Sequence, residues 1–336
     1  MRRYQFLITS ALFALPAQAQ DEVPLAKASI DAALPLEVRL LLAGNNNVQS
    51  LFAVNGSEPF AGTVLKANVI SFSPNSELVL QNTTAPYIII AARDVKFPDA
   101  TSGYRIRFAD VDLPTAAKGA DGARGADGQG EVNFLGGSAS AGAIGQIGGT
   151  GETRVLPHVY LVVDHFSIGS NANPRLINLS LKLRGVAGGD GGSGGIGGDG
   201  GNGAVGHEAS QSAFRCIQRG GNGGRGGDGG IGGTGGSGGQ GGNGGSLTFL
   251  STKKGVGQFG YASILNQGGF GGGYGRSGRG GIAGNGGSGG SGNFHCHGGD
   301  GGSVGALPAL AATGLDGEQG TKGKVMLISV PVVRMF

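Results

Sequence analysis

Short apolar or alternating runs recur along residues 21–117: Val69–Phe72, Glu77–Leu80, Tyr87–Ile90, Asp94–Phe97 and Tyr104–Phe108. Pro, Asn, Asp and Gly separate them at spacings of about 8–10 residues, which suits short strands in a sandwich or successive rungs of a solenoid. Helical spacing occurs only at Ala26–Leu34 in this part of the chain. Further strands are predicted at Tyr160–Ile168, Leu176–Leu183, Leu247–Leu250, Tyr261–Leu265 and Val325–Val330.

Between these later strands the hydrophobic pattern disappears and a glycine period of three replaces it. Residues 188–202 read GGD GGS GGI GGD GGN, and 220–246 read GGN GGR GGD GGI GGT GGS GGQ GGN GGS. A looser run keeps glycine at 269, 272, 275, 278, 281, 284, 287 and 290. Three residues per turn is the period of the polyproline-II conformation. It makes no hydrogen bonds within itself, so its amides and carbonyls must bond to neighbouring segments. A Gly-Gly-X helix has two bare rows, which let backbones approach, and one dressed row, which needs an exit face. That predicts a thin, two-layer bundle. The X residues are mostly Asp, Asn, Ser, Thr, Gln and Arg, as a solvated surface requires, and Ile196 and Ile231 are expected to fill gaps between helices. Flexible linkers have no reason to hold this phase or alternate with strands. Collagen shares the collagen-like period, but its strands are rich in Pro, which the long runs lack.

The order strand, triplets, insert, triplets, strand occurs twice, with inserts at 207–219 and 293–297. Each is a hairpin of two extended helices with its insert at the tip. An internal repeat, LPTAAKGADGARGADGQG from Leu113 and LPALAATGLDGEQGTKG from Leu307, shows one supersecondary unit reused. The expected organisation is a leader (1–19), a β-rich domain (20–117) and a bundle interleaved with strands (118–336). The fold class is all-β and non-regular: a solenoid- or sandwich-like β-rich head with a two-layer polyglycine-II helix bundle.

Composition and charge narrow the setting. Arg2 and Arg3, the apolar stretch Phe6–Leu15 and Ala17-Gln18-Ala19 form a secretory leader with a small-residue cleavage site. Cleavage leaves 23 basic against 22 acidic residues, a balance without a steering field for nucleic acid or anionic membrane. No segment is long enough for membrane insertion. Cell surface or medium is expected, with the periplasm open. There are 75 glycines in 336 residues and no Trp, so one large conventional core is not expected.

The runs at 188–202, 220–246 and 269–292 resemble polyglycine-II bundle proteins, a group that includes the glycine-rich antifreeze protein of snow fleas and the tip adhesins of some phage long tail fibres. The resemblance implies that the loops at 207–219 and 293–297 are recognition tips. Asp190, Asp199, Arg225 and Asp228 depart from the flat faces of the ice-binding relatives.

Candidate chemistry is concentrated in the inserts. Cys216 and Cys296 lie at the same end of the expected bundle and, in an oxidising compartment, read as a disulfide. His207, Cys216, His295, Cys296 and His297 offer zinc or copper ligands as the alternative, without a recognised ligand spacing. Phe214, Arg215, Arg219, Phe294, His295 and His297 are the candidate binding residues, because aromatic and Arg side chains on a rigid base resemble interface hot spots. The alternative is that they only cap helix ends. Calcium-roll and phosphate-loop patterns fail in spacing. Asp94, Asp110 and Asp112 sit at strand positions, and Asp164, His165 and Ser167 are adjacent to one another with His158 nearby, but adjacency is not triad geometry.

No catalytic residue, metal or cofactor is assigned. The expected function is an exported structural or binding protein of the bacterial surface, adhesin-like, whose tips contact a cell-surface protein or glycan. Its oligomeric state is open. Alternatives are an ice-binding protein acting through a bundle face and a solenoid-type carbohydrate-active enzyme.

Overall fold

The computed structural model describes residues 34–44, 47–132, 135–169 and 177–330. The leader, its cleavage site and most of the expected helix at 26–34 lie outside them. In chain order the elements are α1 (Leu36–Gly44), β1 (Gln49–Val54), β2 (Ser57–Phe60), β3 (Val64–Phe72), β4 (Glu77–Leu80), β5 (Tyr87–Phe97) and β6 (Tyr104–Phe108). There follow β7 (Glu131–Val132), β8 (Leu135–Gly136), β9 (His158–Ile168), β10 (Leu179–Lys182), β11 (Ser210–Gln211), β12 (Cys216–Gln218) and β13 (Leu247–Ser251). The last are α2 (Lys253–Phe259), β14 (Ser263–Leu265) and β15 (Val325–Ser329).

The long sheet has the order β1-β3-β5-β9-β13-β15 and the second sheet β14-β10-β6-β4-β2. Every pairing in both is parallel. The chain therefore alternates between two parallel sheets and winds as an open coil, not as a closed barrel. Of the two expected arrangements for the β-rich region, a parallel coil forms, and the antiparallel pairing typical of sandwiches does not. Residues on both sides of 117 contribute to both sheets.

Inward side chains fill the coil. Leu78, Leu80, Ile88, Ile90, Tyr104, Leu181, Leu183 and Phe249 are fully buried between the sheets. A second cluster forms where Val38 and Leu42 of α1 cover Ile89, Ala91, Tyr160 and Val162 on the back of the long sheet. In β3, β5 and β9 the inward alternation slips by one residue at the same level, between Ala67 and Ile70, Ala92 and Val95, and Val163 and Phe166. Each long strand bends there, so one strand carries both runs predicted at 87–90 and 94–97. The bend stacks Phe72 on Phe97 at 5.3 Å, Phe97 on Phe166 at 6.2 Å and Phe166 on Phe259 at 6.3 Å between ring centroids. Phe259 belongs to α2, which supplies the last aromatic of the stack. Sequence spacing misses α2 because Gly255 and Gly257 lower its helix propensity. Tertiary packing and the Thr252 cap, whose side chain accepts from Gly255 N, compensate.

The glycine-rich chain leaves the coil at one corner. Short links join β2 to β3 and β4 to β5, but the later crossings from the second sheet to the long sheet are each drawn out into a hairpin. Segments 115–129 and 137–157 lie between β6 and β9. Segments 184–207 and 220–246 lie between β10 and β13, and segments 266–292 and 298–324 between β14 and β15. The three outgoing segments bond side by side: Gly122 N to Ile196 O at 2.7 Å, then Gly197 N to Arg279 O at 2.8 Å. The three returning segments do the same, Gly145 N to Ile231 O at 3.0 Å and Gly238 N to Leu315 O at 2.8 Å. Gly195 N to Gln146 O, Gly233 N to Gly195 O and Gly278 N to Gly233 O, at 2.7–2.8 Å, join the two layers. Donors recur every third residue along these segments, with an interruption between Gly305 and Gly314, where Pro308 has no N–H to give.

The coil explains why glycine is required. Neighbouring strands lie about 4.8 Å apart, so each hairpin is delivered one strand spacing from the last. A Cβ on Gly195 would overlap the carbonyl oxygen of Ala120, and one on Gly233 that of Gln146. The dressed row points outward, and this includes Ile196 and Ile231, which are 42% and 38% exposed. They do not fill gaps between segments, because the bare rows leave no gaps.

Candidate binding tip

Three hairpin ends meet at the far end of the glycine array. Each exists because the triplet period breaks: at 130–136, where β7 and β8 pair, at 207–219 and at 293–297. In the second, β11 and β12 pair antiparallel, and Ser212 N to Arg215 O at 2.9 Å closes the turn. In the third, Asn293 N to Cys296 O at 2.9 Å and Cys296 N to Asn293 Oδ1 at 3.0 Å close a tighter turn.

The second and third tips are fastened together. A disulfide joins Cys216 to Cys296, whose Cα atoms are 4.9 Å apart. Asn293 Nδ2 donates to Ala209 O at 2.9 Å, His295 N donates to Gln211 Oε1 at 2.8 Å, and His295 Nε2 lies 3.2 Å from Ala213 O. With both sulfurs in the disulfide, neither can act as a thiolate ligand, which removes the sulfur donors of the metal reading. Among the described residues no group of three or more His, Cys, Asp or Glu is placed to hold a metal ion.

The six candidate side chains come together at this end. Phe214 and Phe294 are each 90% exposed, one at the apex of each turn. Arg215 is exposed beside Phe214, and His295 packs edge-on against Phe294 at 4.8 Å. Arg219 and His297 sit lower, in a cleft of about 620 Å³ that also takes in Leu135, Ile217 and Asp300. Sequence reasoning passed over Gln211 and Asn293, which lock the tips together. Asn at the first position of a turn was the available signal for one of them.

The other candidates are dispersed. Asp94 is buried on the back of the long sheet, where Ser167 Oγ donates to it at 2.8 Å and His165 Nε2 is 3.5 Å away. The hydroxyl is thus spent on the carboxylate, not aligned on an imidazole. Asp164 is 3.8 Å from His165 Nδ1. His158 Nε2 lies 2.9 Å from Thr248 Oγ1, and burial lowers its pKa. Asp110 pairs with Arg107 at 3.4 Å, and Asp112 is exposed at the foot of the array.

No protein-family model matches the chain, and no curated protein matches it. Among solved structures, a springtail antifreeze protein from Granisotoma rainieri, described as a nine polyproline type II helical bundle whose crystal waters match the ice lattice, aligns with 60% of this chain and 100% of its own. The identity is 22% and the TM-score 0.09, a value that carries no argument about fold or activity. Among the described residues no helix is long and apolar enough to cross a membrane. The disulfide is compatible with an exported protein.

Proposed function

We propose that the six glycine-rich segments are a two-layer polyglycine-II bundle and that the protein is an exported, adhesin-like binding protein that holds its stapled tips out to a cell-surface protein or glycan. The observation that carries this reading is the pair of phenylalanines, each 90% exposed, on turns joined by a disulfide. Large apolar side chains left in water on a rigid, cross-linked base lose little entropy on binding, which is how interface anchors work. Arg215, Arg219, His295 and His297 add donors around them.

Two experiments test it. An epitope in the 208–214 loop should be labelled on intact cells; labelling only after permeabilisation would place the tip inside the envelope and end the adhesive reading. Changing Phe214, Arg215, Arg219, Phe294, His295 and His297 together to Ser or Ala should abolish binding to target cells, with only the small drop in thermal midpoint that loss of the His295–Ala213 contact brings.

A second reading has its own support. Across the middle of the returning layer the outward rows carry Ile144, Ile147, Ile231, Thr234 and Ala312, an uncharged patch bordered by the Arg225–Asp228 pair, where Asp228 Oδ1 accepts from Ala306 N at 2.7 Å. The outgoing layer carries Lys118, Asp121, Arg124, Asp127, Arg276 and Arg279. An uncharged, regularly spaced patch of this kind suits an ice-binding protein. Ice recrystallisation unaffected by the mature protein would dismiss it.

A further inference from the structure

We infer that the protein has a second binding site, for an acidic saccharide of the uronic acid class, at the corner where the second sheet runs into the glycine array. It lies a full segment away from the tips, roughly 60 Å along an extended chain of about twenty residues, and does not depend on their function. The site is a cleft of about 440 Å³, within the usual range for small-ligand pockets.

Its cations come from the parallel ladder. β6 and β10 pair with Arg107 opposite Lys182. Leu181 and Leu183 are fully buried, so Lys182 at the end of β10 and Arg184 just beyond it fall on the outer side, where both are exposed. Arg107 is already committed: it donates to Glu77 Oε1 at 3.1 Å, to Phe108 O at 3.2 Å and to Asp110 Oδ2 at 3.4 Å. Lys182 and Arg184 have no side-chain hydrogen bond or ion pair among the described residues. Two unpaired cations side by side in a concave site call for an anion.

The remaining lining says which kind. Leu156 and Val186, each 8% exposed, and half-buried Val111 form an apolar floor. Asp112 stands exposed at the rim with no hydrogen bond to another side chain. A bare inorganic anion makes no use of an apolar floor and is repelled by Asp112. A uronate uses all three: its carboxylate meets Lys182 and Arg184, a hydroxyl donates to Asp112, and the C–H face of the ring lies on the floor.

The test titrates the full mature protein with oligogalacturonate, oligoalginate and hyaluronate fragments, with fully methyl-esterified oligogalacturonate and with inorganic phosphate. At least one acidic fragment should bind. Esterification should weaken oligogalacturonate binding by about tenfold or more, as should Lys182→Ala with Arg184→Ala, since each removes charge-assisted bonds. Asp112→Asn should weaken binding less and leave the thermal midpoint unchanged, and Phe214→Ser with Phe294→Ser should leave saccharide binding untouched. Failure of all three acidic fragments to bind would overturn the assignment. So would equal binding of ester and acid, full binding by the Lys182/Arg184 variant, or phosphate displacing the saccharide at equal concentration. Loss of cell binding in the tip variant with retained saccharide binding separates the two sites.

Discussion

The coil and the glycine array are continuous in the chain but are held together by opposite means. In the coil, fully buried Leu, Ile and Phe side chains between two sheets supply the cohesion, and backbone bonds follow the ladders. In the array, most side chains point away from the contacts, and outside the Pro308 interruption cohesion comes from backbone bonds of 2.7–3.1 Å repeated at every third residue. The dressed row then adds a second set of bonds. Asp121 Oδ1 accepts from Ile196 N at 2.8 Å, Asp190 Oδ1 from Gly273 N at 2.7 Å, Asp228 Oδ1 from Ala306 N at 2.7 Å and Asn243 Oδ1 from Thr321 N at 2.9 Å. These join a segment to its same-layer neighbour and satisfy the amides that the backbone pairing leaves over. The period also aligns charges: Lys118 with Asp121, Arg124 with Asp127 and Arg225 with Asp228 pair three residues apart on one row. An array built this way tolerates change on the surface and almost none at its contacts, whereas a hydrophobic core tolerates repacking.

The sharpest way to break that comparison is to add atoms at a contact. Gly233→Val places a side chain on the carbonyl of Gln146, with backbone and not a flexible side chain in the way. The expected loss exceeds about 4 kcal/mol, with amide exchange rising across the glycine segments while β3, β5 and β9 stay protected. Uniform loss of protection would mean that array and coil fold as one unit. Leu181→Ala, at a fully buried position of the coil, should cost about 2–5 kcal/mol and give the reverse exchange pattern. Replacing Cys216 and Cys296 by Ser should cost about 2–5 kcal/mol and loosen the tips first, seen as faster proteolysis within 207–219.

Acid should act on both regions with the same sign. Asp121, Asp127 and Asp228 are held below the usual carboxylate range, the first chiefly by Lys118 and the other two chiefly by the amides of Asn202 and Ala306. Their native forms bind fewer protons than the unfolded chain, so their contribution is present above pH 3.8 and is lost as pH falls through their lowered values. Burial lowers the pKa of His158 below its usual 6.5, so the coil begins to lose stability at higher pH, as acid passes below 6.5. Thermal midpoints from pH 7 to 3 should fall in that order, and salt should reduce only the exposed pairs. The smallest effect should come from Gln240→Val. It occupies an exposed dressed position, and its stability change should stay within about 0.5 kcal/mol. A large loss there would deny that the outward row is free of packing.

Much of this was legible one residue at a time. Tyr104–Phe108 and Glu77–Leu80 read as strands and are strands with those bounds. Phe214 and Phe294 stood out as aromatic side chains beside Arg and His in the two inserts between glycine runs. α1 and α2 were not legible: α1 is a single short helix settled by contact with β5, and α2 contains two glycines. Gln211, which holds His295 across a separation of 84 residues, carries no local signal. The cleft at Lys182 and Arg184 was equally hidden, because it requires knowing which strand lies beside β6.

By itself the sequence determined period and polarity: which stretches alternate, which repeat in threes, which rows are bare and where the repeats stop. Those follow from local sterics, since a missing Cβ or an alternating side chain acts within a few residues. Only the tertiary structure decided that the strands are parallel and coiled, that the hairpins leave from one corner, and that each is offset from the last by one strand spacing. That offset is a property of the sheets and not of the glycines. It brings residues some 75–86 positions apart into bonding distance, and no local pattern encodes a separation of that length.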